Sequence, residues 1–320
     1  MLKYVIKRLL LIIPIILGAT ILVFTIMYFC PGDPATIILG NTADPARIAA
    51  LREKMGLNQP YIVRLVNTIW GYLHLDFGNS YVSGRPLFAE LAMRIPNTLI
   101  ISLVSIAIGV LMGLPMGVLA AVKHDTWVDY GGMLLAMLGI SLPGFWFAML
   151  IVSLFAVQLG WLPPFGVGGI DHWILPILAS SFGGFAGIMR MTRSSMLEVI
   201  RQDYITTARA KGQTKAKIIY KHALKNALIP IITVIGTRAS YMMGGVMVVE
   251  TVFGIGGMGM LMMQSINSLD YSLVLSCVMF ISIFSCIIVL LTDIAYAFAD
   301  PRIRSEYQTG KRVKRREAAA

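Results

Sequence analysis

The sequence predicts an all-α polytopic membrane protein: six transmembrane helices, a helical extracytoplasmic loop and one basic cytoplasmic loop. Three observations lead there. Of 320 residues, 57% are hydrophobic and only 13% are charged, whereas a soluble domain carries about 25% charged residues. Apolar windows long enough for a hydrocarbon core, about 20 residues each, recur along the chain. Lysine and arginine are also lopsided: of 27, twenty fall on one side of the implied topology, six on the other, and Arg238 lies within a span. The side richer in positive charge is the cytoplasmic one, so both termini and the basic loop are expected there. The net charge of +11 is thereby read as topogenic, with no nucleic-acid partner expected.

The first window is residues 9–29, behind Lys3, Lys7 and Arg8. Its length exceeds the 7–15 residues typical of a signal-peptide core, and no A-x-A-like site follows, so it is expected to stay as the first span. Residues 31–97 form an outer loop too long for a plain connection. It opens on the turn cluster Pro31-Gly32-Asp33-Pro34. Residues 45–55 then read as a helix with Asp44 as its N-cap and Gly56 as its end. Residues 61–75 read as a second amphipathic helix, with Ile62, Leu65, Val66, Ile69 and Leu73 on one face. Together these make a cap resting on the span mouths, either as packing support or as a docking floor for a soluble partner.

The second span, residues 98–122, repeats Gly109, Gly113 and Gly117 every four residues, a spacing that lets helix backbones approach. The third lies within residues 130–159. The fourth, 172–189, is short and carries Gly183, Gly184 and Gly187. The fifth, 229–249, is interrupted by Arg238, and the sixth is 271–292. Asp293 and Asp300 close the last span as local caps or pairs, and the tail motif KRVKRR at 311–316 reads as a lipid-surface or topogenic segment. Cys30, Cys277 and Cys286 form no spaced set, and the four histidines lack metal-ligand spacing, so neither disulfides nor a metal site are expected.

Between the fourth and fifth spans lie nine Lys/Arg from Arg190 to Lys225. A charge at the bilayer centre costs about 2.5–3.5 kcal/mol on insertion scales, so this segment is not a span. Ser194 or Ser195 is expected to cap one helix, with Met196, Val199 and Ile200 on one side, and Asp203 a second over 204–211. Gly212 breaks it, and 215–226 form another helix with Ile218, Ile219, His222 and Leu224 turned inward. The product is a compact knob showing Arg209, Lys211, Lys215 and Lys217. A solvated basic loop near anionic lipid would need neither the apolar periodicity nor the placed glycine.

At these residues the chain resembles a known family. Thr206-Thr207-Ala208 followed by Gly212 is similar to the EAA loop of ABC-importer permeases, and DYITTARAKG…HALKNALIP resembles the dipeptide/oligopeptide/nickel branch. LKYVIKRLLLIIPIILGATILVF…PGDPA, LDFGNSYVSGRP, RIPNTLIISLVSIAIGVLMGLPMGVLAA, GISLPGFWFAMLIV, LGWLPPFG, VVETVFGIGGMG and DIAYAFADPRIR fit the same branch in order, over almost the whole chain. Thr206 departs from the acidic first position of the general pattern, and the later hydrophobic-Pro step is replaced near Leu224-Lys225; both suit the peptide branch. The resemblance divides the chain into a first span (1–30), an extracytoplasmic helical loop (31–97), a permease core (98–300, coupling loop 190–228) and a basic tail (301–320).

The resemblance implies an ATP-driven import subunit of the bacterial inner membrane with no ATPase and no cofactor of its own. ATP and magnesium would sit on two partner ATPase subunits; a second homologous permease and a soluble binding protein would complete the machine. The ATPase-docking residues implied are Tyr204, Thr206, Thr207, Ala208, Arg209, Ala210, Lys211 and Gly212. No G-x-x-x-x-G-K-[ST] occurs. Gly254, Gly256 and Gly259 match G-x-G-x-x-G as a string, but without the strand before it or the acidic residue after it that dinucleotide binding needs. Arg238, about halfway along a span where charge is costly and usually functional, is the leading pathway candidate, with Glu250 as a gating partner. Cargo stays open among di- and oligopeptides, nickel chelates, glutathione and other small solutes. An ion-driven carrier would need acidic residues well inside a span, and none is seen.

Overall fold

The computed structural model describes residues 2–40 and 42–299. The expected basic tail (301–320) and Asp300 lie outside the described residues. Among those described the regular elements are all helices, with one isolated β-bridge between Asn79 and Pro86.

Helix α1 (Leu2–Phe29) is the first span. Helix α2 (Pro34–Leu39) follows the predicted turn, and α3 (Pro45–Lys54) begins where Asp44 accepts a hydrogen bond from the Ala46 amide at 3.0 Å. The chain then turns at Gly56 with φ +67°, a region that costs L-residues strain. Helix α4 (Tyr61–Leu73) completes the cap. Helix α5 (Leu87–Val122) starts well before the apolar window, because Pro96 is accommodated inside it.

The glycine ladder of α5 faces α8 (Asp171–Ile200). A Cβ at Gly113 would stand 2.8 Å from the Phe185 carbonyl oxygen, and one at Gly117 2.6 Å from that of Met189. The two backbones therefore touch, as small residues allow. Replacing Gly117 with leucine is expected to cost about 1–3 kcal/mol by overpacking, read as earlier loss of monodisperse protein on heating in detergent. An unchanged thermal profile would mean that the helices separate freely. The α8 glycines behave differently: a Cβ at Gly184 would meet nothing within 4 Å, and Gly187 leaves room for the Arg238 side chain.

The third span is not one helix. α6 (Trp127–Ser141) and α7 (Gly144–Ile151), which continues as a π-helical segment (Val152–Gln158), meet at a bend of 106°. Leu142 is extended, as a residue before proline tends to be, and Pro143 caps α7. The pair still crosses. Asp129, in the first turn of α6, pairs with Arg193 near the end of α8, while Ala148 and Ile151 pack on Leu175 near the start of α8. Those two points on α8 are about 27 Å apart at 1.5 Å per residue. Five unbroken spans and one broken span thus make six crossings.

Helix α8 runs through Ser194 and Ser195 to Ile200, so neither serine caps a helix; the charges of its last turns leave the membrane without breaking the helix. α9 (Asp203–Ala210) is capped at Gln202, and Asp203 is its first residue, where a carboxylate complements the helix dipole. α10 (Lys215–Lys217) passes through a π-helical turn (Ile218–Ala223) into α11 (Leu224–Gly245). The second knob helix and the fifth span are thus one rod. α12 (Met247–Val252), α13 (Met258–Asn267) and α14 (Tyr271–Ala299) complete the chain. Arg8 of α1 pairs with Asp293 of α14 at 3.0 Å, so Asp293 bridges two spans distant in sequence, where a local cap or pair was expected. The same end of the bundle carries the start of α11, through Tyr296 donating to Thr233 at 2.7 Å. The two outermost spans therefore have their terminal ends on the knob side.

Candidate functional site: the basic knob and the Arg238 cleft

The knob is built on an apolar base. Ile205 and Ala208 are buried with Val118 and Ala121 of α5, Met196 of α8, and Ile218, Ala223, Ala227 and Ile231. Gly212 has φ +72° and lets α9 reverse, with its amide donating to Arg209 at 2.9 Å. Two side-chain bonds latch α9 and the turn after it to the rod that follows. Asn226 donates to the Tyr204 hydroxyl at 2.8 Å, and His222 shares a 2.7 Å bond with the Gln213 side-chain oxygen. Tyr204, Thr206, Thr207, Arg209, Ala210, Lys211 and Gly212 are exposed together, and Lys215 and Lys217 extend the cationic face. Ala208 is the exception. It points into the base, so it positions the surface and does not contribute to it.

Beside the knob lies an ion pair that inspection of the spans did not anticipate. Asp129 is fully buried and receives two bonds from the Arg193 guanidinium, one of them 2.7 Å from Nη2 to Oδ2. The Asp125 amide also donates to it at 3.2 Å, and His124 stands 3.7 Å away. Two-point contact between arginine and carboxylate is the strong form of this interaction. It clips the start of the broken span to α8 beside the knob.

The second feature is a cleft of about 330 Å³ between the α6–α7 break, α8 and α11. Arg238 and Tyr241 line it, facing Ser180, Phe182 and Gly184. Gly187 gives the guanidinium room: a Cβ there would lie 3.4 Å from its Nη2. Arg238 enters no salt bridge among the described residues, and the bend at Leu142-Pro143 opens beside it. A cation in a cavity bordered by an interrupted helix can receive an anionic group.

Glu250 does not meet Arg238. It is fully buried outside the cleft, accepting from the Thr98 hydroxyl at 2.5 Å and the Met260 amide at 3.0 Å. Burial raises its pKa, and the bonds from Thr98 and Met260 oppose that shift. Thr98 in turn accepts from the Met258 amide at 2.8 Å. The Gly254–Gly259 turn is fitted around this network: Gly254 has φ +60°, and a Cβ at Gly257 would run into the Glu250 carboxylate. The glycines belong to a tight turn held by a carboxylate, and Glu250 is a brace. Asp270 braces the cap in the same way. Ser80 donates to it, and the Tyr81 amide does so at 3.2 Å.

Comparison with known proteins bears on all of this. Residues 113–305 match the family described as binding-protein-dependent transport system inner membrane component, and residues 1–103 match the N-terminal family of the same systems. The chain is 41% identical over 304 residues to the glutathione transport system permease protein GsiC of Salmonella typhi, covering 95% of this chain and 99% of that one. It is 38% identical over 332 residues to the dipeptide transport system permease protein DppB of Alkalihalophilus pseudofirmus, covering 95% and 100%. A putative peptide transport system permease of Brucella abortus is 40% identical over 308 residues, covering 94% and 98%. Among solved structures, an inward-facing MetNI methionine ABC transporter chain superposes with TM-score 0.54 at 21% identity, covering 68% of this chain and 99% of that one. At that identity the likeness speaks for the fold.

Proposed function

The chain belongs to the family of inner-membrane components of binding-protein-dependent transport systems, and from that premise we propose that it lines the pathway of an ATP-driven importer of di- or oligopeptides. The observation that carries the reading is mechanical. An exposed basic knob is latched to, and continuous with, the rod that bears Arg238. A partner that grips Tyr204–Gly212 and moves would swing α11, and with it one wall of the cleft.

Two ATPase subunits on the cytoplasmic face supply that motion and hold ATP and magnesium; this chain binds no cofactor. A second, related permease closes the open side of the cleft. A soluble binding protein delivers cargo to the opposite face, where the cap lies. Both termini face the cytoplasm, on the charge asymmetry already described. Arg238 takes the cargo carboxylate. Peptides and glutathione both carry one, and the names of the relatives include both classes.

Arg238→Ala is expected to lower ATP-dependent uptake at least tenfold, the loss of about 1.4 kcal/mol or more of charge-assisted binding, with co-purification of ATPase and permease partners unchanged. Undiminished uptake would remove Arg238 from the pathway. A panel of dipeptide, longer peptide, glutathione and nickel chelate, applied to the same reconstituted complex, identifies the cargo. Preference for glutathione or nickel chelate would overturn the peptide assignment and leave the machinery intact.

A further inference from the structure

We infer that α4 lies in the plane of the membrane, within the outer edge of the bilayer, with its apolar stripe in the lipid acyl chains. The argument starts from an inverted amphipathic helix. Ile62, Val66, Trp70 and Leu73 recur along one face of α4 and are 67%, 54%, 64% and 67% exposed. The opposite face is the polar one and is turned inward. Arg64 lies 5.9 Å from the Phe24 ring and 5.5 Å from the Tyr28 ring, above a cavity of about 290 Å³ that Thr68, Tyr72 and Gln59 also line. A helix on a water-washed cap buries its apolar side. This one does the reverse.

Depth decides what covers the stripe. One end of α4 is tied to α1, where Tyr61 and Thr25 share a 2.7 Å hydrogen bond. The other end is tied to α14, where Tyr72 and Ser276 share one at 3.3 Å. The Arg8–Asp293 pair joins the same two spans near their far ends. Thr25 stands as many residues beyond Arg8 as Ser276 stands before Asp293. At 1.5 Å per residue both ties lie about 25 Å from the pair, inside a hydrocarbon core about 30 Å thick. Helix α4, about 20 Å long, is therefore slung level between two spans below their outer ends. Within one turn of Thr25 along α1, the apolar side chains Leu22, Ile26 and Phe29 are exposed as well. Tryptophan is enriched at this depth, and an amphipathic helix with its apolar face about 5–10 Å into the boundary is stable there.

The test uses the full transporter reconstituted in phosphatidylethanolamine–phosphatidylglycerol vesicles, with nitroxide labels at Val66→Cys, Leu73→Cys and, as a reference from the same helix, Asn67→Cys. Labels at positions 66 and 73 are expected to collide preferentially with oxygen, and the label at 67 to shift toward a water-soluble nickel chelate. Preferential collision with the chelate at 66 and 73 would overturn the inference and leave α4 as a solvent-exposed docking floor. Protection from both reagents there would overturn it in favour of a protein partner over the stripe. Should Val66→Cys fail to insert, Ile62→Cys reports on the same stripe.

Discussion

Ala208→Trp is expected to abolish coupled uptake while leaving the protein in the membrane. Ala208 is buried between α9 and the apolar base formed by α5, α8 and the rod. An indole there costs about 1–3 kcal/mol of overpacking, and the cheapest relief is to lift α9 off its seat. That displaces the surface from Tyr204 to Gly212 relative to the rod and breaks the latches at Asn226 and Gln213. The six crossings do not depend on α9, so insertion survives. The expected readout is transport reduced to background in vesicles, with normal levels of the inserted chain and ATP hydrolysis no longer answering to cargo. Gly212→Val acts on the same surface more gently, because left-handed backbone costs an L-residue about 1–2 kcal/mol. Wild-type uptake by an inserted Ala208→Trp protein would show that this knob is not where force enters.

Asp129→Ala carries the largest expected cost in stability. Removing the buried partner leaves a guanidinium whose side chain is 21% exposed, so water offsets part of the roughly 3–5 kcal/mol that a fully enclosed pair would lose. Here the Arg193 guanidinium loses both of its bonds to the carboxylate, and the Asp125 amide loses an acceptor. The start of the broken span is then no longer clipped to α8. Lower yield of the inserted chain and earlier thermal aggregation are expected. Removing both charges in Asp129→Ala/Arg193→Met should recover much of the loss, since a buried pair replaced by apolar groups is often near neutral. If the single variant melts like the parent, the pair is not a structural clip.

Much of this was readable before any coordinates. The Gly109–Gly113–Gly117 period announces a close helix contact, Asp44 announces a helix start, and Gly212 announces a reversal, because each rests on local backbone chemistry. The family motifs locate the knob. What escaped depends on residues far apart in the chain. Asp129 and Arg193 look like ordinary span-flanking charges until the fold brings them together. Glu250 reads as a gate because it sits beside a span, but its partners Thr98 and Met260 come from elsewhere. Hydropathy also ran too short at α5 and α8, since helices outlast the apolar windows that reveal them. The break at Pro143 was legible in principle: Ser141-Leu142-Pro143-Gly144 has turn chemistry, but the apolar run on either side masked it.

The backbone contact between α5 and α8 has a mechanical consequence. Helices meshed at glycine, with Ile188 and Thr192 of α8 seated directly against the α5 backbone, have little freedom to slide or roll against each other. They serve as a fixed keel. In the proposed import cycle, alternation between inward and outward access is taken up by the parts hung on that keel: the bend at Pro143 and the rod that borders the cleft.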